Sequence, residues 1–237
     1  MTYTTKRHSF LKDYQDIHLG APAILFCTGP SILDYKEPKF LKTAIKVGVN
    51  KIYNHPISNE LNYYFFGSHY HIDANHKKSV DKLSKDNKNM IMFSSTFTAK
   101  FGDGRETGLG NINFESALKI NALPIEIGSP GSGPGIGWVK DIHMYPFFGG
   151  SIAFPAIQFL LYTGVKEIYL VGCDLGNSNQ HFYNSQNSTF QNDHASRFYK
   201  NCWSSLNEFI KNNYKNVKTY SINPVGLKGM FEDVFTR

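Results

Sequence analysis

The segment of residues 147–176 constrains the fold more than any other part of the chain. It reads FFGGSIAFPAIQFLLYTGVKEIYLVGCDLG. A Gly-Gly-Ser turn leads into an apolar run, which Ser151 can cap as a helix and Gly164 can end. Residues Lys166 to Val171 then alternate into a buried strand that leads to Asp174. This order predicts one helix–strand unit of an α/β sheet.

The rest of the chain alternates between strands and helices in the same way. Further strands are predicted at Ala23 to Cys27, Ile45 to Val49, Tyr63 to Phe66, Met90 to Phe93 and Val217 to Ile222, and helices at about Ala74 to Leu83 and Ala195 to Tyr214. One face of the last helix carries Phe198, Cys202, Leu206, Phe209 and Ile210. The alternation predicts an α/β fold with a doubly wound, mainly parallel, Rossmann-like sheet.

The domain organisation follows from length and from one irregular segment. A chain of 237 residues is long enough for one large domain, and we expect a single domain over residues 1–237. Residues 101–148 are rich in Gly, Pro and Asn and lack clear periodicity. They are predicted to form a lid or an insertion over the site.

Composition restricts the partners and the compartment. The formal net charge is +6, but the basic residues are scattered and no nucleic-acid motif is present, so a nucleotide or an anionic sugar is the preferred substrate. No apolar run approaches a membrane span, and the amino terminus lacks the apolar core of a secretory signal. Three cysteines without metal-like spacing fit a reducing cytosol. A cytoplasmic protein is predicted; association with the inner face of the membrane and formation of a homo-oligomer stay open.

Ligands of open α/β sheets bind beyond the carboxyl ends of the strands. Asp174 follows such an end, and Gly150 and Ser151 precede a helix whose first N–H groups suit an anion such as phosphate. A buried helix–strand pair without any ligand shows the same pattern, so spacing alone leaves the two interpretations equal.

Two motifs resemble known ligand-binding patterns but do not match them fully. The Gly-rich run of residues 128–137 matches no nucleotide-binding pattern and is better explained as a flexible loop. The His69-x-His71-x-Asp73 spacing is that of dinuclear metal hydrolases, but Ala74 stands where those enzymes need a further histidine. A loop at the substrate edge, which includes Ser68, is the preferred interpretation, and no metal site is predicted.

Residues 177–194 form a polar, amide-rich segment after the strand that leads to Asp174. A surface loop is the simplest interpretation, although loops at this edge of a sheet also carry catalytic groups. His194 stands at the start of a helix behind Asp193, a suitable cap. A lone histidine is more often structural or exposed than catalytic.

The order of these motifs resembles that of a known family. The sequence GVKEIYLVGCD after a Gly-Ser turn and an apolar helix is similar to the centre of the bacterial sialyltransferases of glycosyltransferase family 42. It also resembles the related group of archaeal pterin diphosphokinases and motility-associated glycosyltransferases. The turn FCTGPS at residues 26–31, Val49-Asn50-Lys51, His194 and Ile222-Asn223-Pro224 match further landmarks in the expected order, over roughly residues 22–230.

The resemblance implies an inverting glycosyltransferase without a cofactor or metal. Its donor would be a CMP-activated acidic sugar of the sialic acid or octulosonic acid type, and its acceptor a bacterial surface glycan of lipopolysaccharide or capsule. By resemblance, His194 is the base, and Tyr183 contacts the leaving phosphate, with His181 beside it. The donor-binding residues implied are Thr28, Gly29, Pro30, Ser31, Asn50, Ser68, Gly150, Ser151 and Asp174.

The chain departs from the family at two positions. The family has an asparagine in the opening turn where Thr28 stands, and a second tyrosine where Leu175-Gly176 follow the acidic strand end. His181 or a backbone amide could replace that tyrosine. Two alternatives stay open: an ATP- and magnesium-dependent diphosphokinase, in which Asp174 would help to hold the metal, and a nucleotide- or glycan-binding module without catalysis.

Overall fold

The structure is a computed structural model of the chain. It describes residues 9–67, 73–96, 118–128, 137–145, 147–175, 181–183 and 193–236, and for residues 96 and 193–196 the backbone alone. The chain divides into two compact units that alternate along the sequence. The first comprises Met1–Ile17 and Val47–Thr163, and the second comprises His18–Lys46 and Gly164–Arg237. The single domain over residues 1–237 stays a prediction.

The strands of the described residues are β1 (Pro22–Phe26), β2 (Ile45–Val49), β3 (Tyr63–Phe66), β4 (Ile91–Thr96), β5 (Ala122–Gly128), β6 (Phe147–Phe148), β7 (Glu167–Val171), β8 (Lys218–Ile222) and β9 (Glu232–Val234). The helices are α1 (Ala74–Asp86), α2 (Ala153–Tyr162) and α3 (Asp193–Asn213). Short 3-10 segments include Pro30–Asp34, Asn50–Asn54 and Pro56–Glu60.

Strand pairing within each unit is parallel. In the first unit β2 to β6 follow one another across the sheet in chain order, with Val47 opposite Tyr63 and Phe93 opposite both Phe65 and Leu123. In the second unit the order is β1, β7, β8, β9, with Phe26 opposite Val171. The predicted α/β class with a mainly parallel sheet is therefore confirmed.

The core of the first unit is aromatic. All four residues of β3 (YYFF) are buried, which is typical of a parallel strand covered on both faces. Alternation along β3 places Tyr64 and Phe66 on one face, where their rings stack. The opposite face meets Phe159 of α2, whose ring centroid lies 4.9 Å from those of both Tyr63 and Phe93. Packing of aromatic rings therefore holds α2 to the sheet.

The second unit is built around β1 and β7, whose apolar residues are almost wholly buried. Helix α3 buries Cys202, Trp203, Leu206 and Ile210, and the Trp203 ring meets Phe231 edge to face. Phe198, which the periodicity placed on the buried face, is 41% exposed, and Trp203 contributes to that face instead. Among the helices of the described residues, none is long and apolar enough to cross a membrane.

Most predicted elements are present with shifted ends. Helix α3 begins at Asp193, two residues earlier than predicted, and α1 extends to Asp86. Strand β5 lies inside the segment 101–148, for which no periodicity was found, and pairs with β4. Of that segment, residues 101–117, 129–136 and 146 lie outside the described residues. Its role as a lid stays a prediction.

The aromatic cluster generates a stability prediction. Phe159→Ala should lower the free energy of unfolding by about 3–5 kcal/mol, because the cavity is bounded by rigid rings that cannot collapse into it. The control is Phe198→Ala on α3, which should change it by no more than about 0.5 kcal/mol because the side chain is partly exposed. Urea denaturation followed by circular dichroism measures both. Equal losses would show that the cluster does not hold the first unit together.

Candidate functional site

The turn after β1 is fixed to the end of β7. Cys27 N–H donates to the Val171 carbonyl at 2.8 Å, and Gly29 N–H donates to the Gly172 carbonyl at 2.8 Å. The two strands therefore stay paired beyond their regular ends. Pro30 follows and begins the 3-10 segment Pro30–Asp34, since its missing N–H costs nothing at a first helical position.

Gly29 is required by close approach and not by its backbone angle, since its φ of −68° suits any residue. A Cβ atom built there would lie 2.6 Å from both the Asp174 Oδ2 atom and the Gly172 carbonyl oxygen. No side chain fits without displacing the carboxylate or the end of β7. The Gly-Pro-Ser turn thus lies directly against Asp174.

Asp174 holds this turn through Ser31. Its Oδ2 atom accepts from Ser31 N–H at 2.8 Å, and its Oδ1 atom accepts a short hydrogen bond from the Ser31 hydroxyl. Burial raises the pKa of Asp174, the two Ser31 bonds lower it, and the nearby Asp34 carboxylate raises it further. The predicted binding residues Ser31 and Asp174 are therefore brought together, and they bind each other.

Thr28 contacts the loop after β7 through both of its polar groups. The Oγ1 atom lies 2.9 Å from His181 Nδ1, and the carbonyl accepts from Phe182 N–H at 3.0 Å. The His181 ring stacks on Tyr183 with the ring centroids 5.0 Å apart and the ring planes 5° from parallel. His181 is exposed, whereas Thr28 is only 8% exposed. Three predicted site residues therefore form one connected group in the second unit.

Asn223 and Gly226 complete this part of the second unit. The Asn223 side chain, with φ at 49°, donates to the Asp34 carbonyl and the Thr236 hydroxyl and accepts from Thr236 N–H. Gly226 N–H donates to the Asp174 carbonyl at 2.6 Å. Neither was predicted as a site residue. The Asn-Pro pair after β8 was a visible signal for Asn223, since asparagine tolerates a positive φ.

Asn50 plays a comparable part in the first unit. It follows β2 with φ at 47°, and its Oδ1 atom accepts from Gly67 N–H at 3.2 Å at the end of β3. Its carbonyl accepts from the Tyr64 hydroxyl at 2.5 Å. Within the described part of the chain, the Asn50 NH₂ group has no hydrogen-bond partner, so it can donate to a ligand. Ser68 lies outside the described residues.

The turn before α2 has a backbone conformation that favours glycine. Gly150 has φ at +98°, which residues with a side chain rarely adopt. Ser151 was predicted as the cap of this helix, but Ile152 occupies the N-cap position and no side-chain cap bond is formed there. The Ser151 hydroxyl does accept from the N–H of Ala153, the first residue of α2, at 3.3 Å. The buried Gln158 accepts from Phe148 N–H and Val139 N–H and fixes the approach to this turn. A polar residue inside an apolar helix was the unused signal for Gln158.

The remaining candidates are the histidines and Asp73 of the H-x-H-x-D segment, the loop after β7 and His194. Asp73 caps α1 by accepting from Asn75 N–H at 2.9 Å, and His76 Nδ1 lies 2.9 Å from the hydroxyl of Tyr53. His69 and His71 lie outside the described residues, and so do 176–180 and 184–192. The backbone of His194 lies in the first turn of α3, but its side chain is not described. Within the described ranges, no cluster of three His, Cys, Asp or Glu residues could hold a metal ion.

Comparison with known proteins connects the fold to one group of solved structures. A sialyltransferase CST-II in complex with a trisaccharide acceptor and CMP is 13% identical, with a TM-score of 0.53 over 84% of this chain and 80% of that one. CstII of Campylobacter jejuni with the substrate analogue CMP-3FNeuAc is 15% identical, with a TM-score of 0.52 over 90% and 86%. A single-site variant of CST-II with CMP is 14% identical, with a TM-score of 0.52 over 85% and 80%.

These values establish a shared fold and nothing finer. No protein-family model matches the chain, and no curated protein matches it. The α/β fold expected from the resemblance to glycosyltransferase family 42 is therefore found in the structure. The similarity to pterin diphosphokinases finds no support in the three solved structures, all of which are sialyltransferases.

The close packing at Gly29 gives the first site prediction. Gly29→Ala should lower the free energy of unfolding by about 1–3 kcal/mol, because its Cβ atom collides with Asp174 and Gly172. Gly137→Ala is the matched control, since no atom of the described residues lies within 4 Å of a Cβ atom there. Denaturant unfolding measures both variants. If Gly29→Ala is as stable as the control, the turn is looser than its contacts indicate.

The raised pKa of Asp174 gives the second prediction for the site. The pKa of the Asp174 carboxyl group is higher in the folded chain than its ordinary value of 3.8, so the folded chain binds more protons than the unfolded chain. The free energy of unfolding therefore decreases as the pH rises from about 4 through the folded pKa. Relative to Asp174→Asn, the wild type should therefore lose stability between pH 4 and pH 7. Urea titrations at each pH measure the two slopes. Asp86→Asn, which removes the same charge from an exposed side chain, is the control for net charge.

Proposed function

We propose that the chain is an inverting glycosyltransferase that uses a CMP-activated acidic sugar, of the sialic acid or octulosonic acid type. The observation that carries this proposal is the polar group at the carboxyl ends of β1 and β7, formed by Thr28, His181 and Tyr183. It lies at the edge where α/β sheets bind ligands. The fold supports it, because solved structures with the same fold are sialyltransferases bound to CMP or a CMP-sugar analogue.

The proposed reaction needs one base and donors for a leaving phosphate. The acceptor hydroxyl oxygen bonds to the anomeric carbon, the bond from that carbon to the phosphate oxygen breaks, and CMP leaves with the electron pair. His194 takes the acceptor proton, as the family resemblance implies. Tyr183 and His181 donate hydrogen bonds to the phosphate as its charge grows. Because a monophosphate leaves, this scheme assigns no role to a metal or cofactor.

The donor-binding roles follow the contacts. Gly29, Pro30 and Ser31 form the turn that faces the nucleotide, with Asp174 holding Ser31 in place. In the first unit, the NH₂ group of Asn50 is assigned to the donor, and Ser68 keeps the role that the resemblance implies. Gly150 and Ser151, in the turn before α2, keep the role at the donor carboxylate or phosphate that the resemblance implies. The net charge of +6 favours an acidic donor.

The acceptor is proposed to be a glycan of bacterial lipopolysaccharide or capsule, modified in the cytoplasm. The decisive experiment is incubation of the full chain with a panel of CMP-sugars, scored as CMP release with and without candidate glycans. Release that requires both an acidic CMP-sugar and an acceptor supports the proposal. Turnover or thermal protection only by ATP with magnesium would instead favour the diphosphokinase, and binding of CMP without any turnover would favour the non-catalytic module.

The base assignment gives a sharper prediction. His194→Ala should reduce transfer by roughly 10²- to 10⁴-fold, the usual contribution of a positioned base, while CMP binding by calorimetry stays at the wild-type level. Binding is retained because the nucleotide contacts lie at the turn after β1. His18→Ala is the matched histidine control, and His69→Ala and His181→Ala test the competing bases. Full transfer activity in His194→Ala would overturn the mechanism.

A further inference from the structure

We infer that Ser95, near the carboxyl end of β4, is a further specificity-determining residue, whose hydroxyl group binds a neutral hydroxyl group of the donor substrate beside Gly67. The identity of that substrate rests on the proposed function, which this inference deepens. Neither Ser95 nor Gly67 was predicted from the sequence as part of the site.

Ser95 carries a polar group into a buried position. The residue is 4% exposed, and within the part of the chain that the structure describes its Oγ atom forms no hydrogen bond. Burial removes water from the hydroxyl group, so a buried hydroxyl without a partner destabilises the folded chain. Most buried polar groups in native proteins have a partner, and each exception needs a specific explanation. A ligand bound at this position would supply the partner.

Ser95 lies beside a small space at Gly67. Phe66 of β3 is opposite Ser94 of β4, so Gly67 and Ser95 follow at the carboxyl ends of two neighbouring strands. A Cβ atom built on Gly67 would lie 3.9 Å from Ser95 Oγ and 3.7 Å from Asn50 Oδ1, and no other atom of the described residues is within 4 Å of it. Gly67 and Asn50 are both partly exposed. The space therefore lies within reach of a ligand at the edge where α/β sheets bind them.

Ser95 also lies on the side of the sheet that α2 covers. Alternation along β4 places Ser95 on the same face as Phe93, whose ring meets Phe159 of α2 with the ring centroids 4.9 Å apart. The turn of Gly150 and Ser151 precedes this helix and follows the carboxyl end of β6. Ser95 and the turn that is assigned to the donor therefore share one face and one edge of the sheet in the first unit.

The groups around this space suit a hydroxyl group better than an anion. The two atoms nearest to it are both oxygens of uncharged side chains, which would repel a carboxylate or phosphate oxygen. Asn50 Oδ1 already accepts from Gly67 N–H, so the amide offers its NH₂ group as a donor and Ser95 Oγ offers an acceptor. A ligand hydroxyl group can accept from the first and donate to the second, whereas an amino group can only donate. Both the ribose and the transferred sugar of a CMP-activated donor carry such hydroxyl groups.

The test is calorimetric titration of the full chain with CMP and with the substrate analogue CMP-3FNeuAc. Ser95→Ala should weaken binding of the analogue about three- to tenfold, the effect of losing one hydrogen bond. Its melting temperature should not fall, because the lost hydroxyl group has no partner among the described residues. Ser94→Ala is the matched control, since the neighbouring serine is fully buried on the other face with its Oγ atom also unpartnered among the described residues. It should bind both ligands as the wild type does.

Gly67→Ala tests the space itself. The added methyl group would make only ordinary contacts with the described residues, so the variant should fold, yet it occupies the position assigned to the ligand hydroxyl group. We expect it to weaken binding of the analogue at least as much as Ser95→Ala does.

The two ligands distinguish the two sources of the hydroxyl group. Equal losses for CMP and the analogue would assign it to the ribose, and a loss confined to the analogue would assign it to the transferred sugar; both results support the inference. Wild-type affinity for both ligands in Ser95→Ala, or an equal loss in Ser94→Ala, overturns it and leaves the proposed function intact. If the wild type binds neither ligand, the proposed function is wrong and the inference fails with it.

Discussion

The second unit depends on one partly buried carboxylate, that of Asp174, which has no cation beside it among the described residues. Asp174 pays a desolvation cost that raises its pKa, and two donors from Ser31 offset part of that cost. The arrangement works only because Gly29 has no side chain, so the turn can lie against the carboxyl group. With Ser31 held, the residue just before Gly29 is held as well, and Thr28 faces the loop after β7. The position of the polar group formed by Thr28, His181 and Tyr183 therefore depends on how the turn after β1 is packed.

This packing changes which atoms are free for a ligand. Ser31, Asp174 and the Thr28 hydroxyl have the residue types of ligand-binding groups, yet each forms its hydrogen bonds within the protein. Asn50 behaves similarly, since its Oδ1 atom is used by Gly67 N–H and only its NH₂ group is left. Under the proposed function, recognition of the donor substrate then falls to hydrogen-bond donors such as this NH₂ group and not to these acceptors.

The sequence was sufficient for the fold but only partly for the site. Alternation of short apolar strands with helices predicted the parallel sheet, because residues of β1, β3 and β7 are buried on both faces and leave a strong signal. Strand β6 has two residues and β9 has three, too few to produce a period. Prediction of the site requires contacts between residues that are distant in the sequence. The Ser31–Asp174 contact joins residues 143 positions apart, and the Thr28–His181 contact joins residues 153 apart. Contacts between residues so far apart cannot be recognised from the composition or periodicity of a short segment.

The Thr28 position shows why a family resemblance and a contact can assign different roles to one residue. The resemblance places an asparagine there, and an asparagine side chain has two donor hydrogens and an acceptor oxygen. It could bind a neighbouring residue and a nucleotide at the same time. A threonine hydroxyl has only one hydrogen, and its oxygen lies 2.9 Å from His181 Nδ1, where the tautomer of the ring decides which atom donates. The replacement therefore cannot be neutral: a donor lost from the turn must come from elsewhere if the same ligand binds. Under the proposed function, that donor comes from His181 or Tyr183 in the loop after β7.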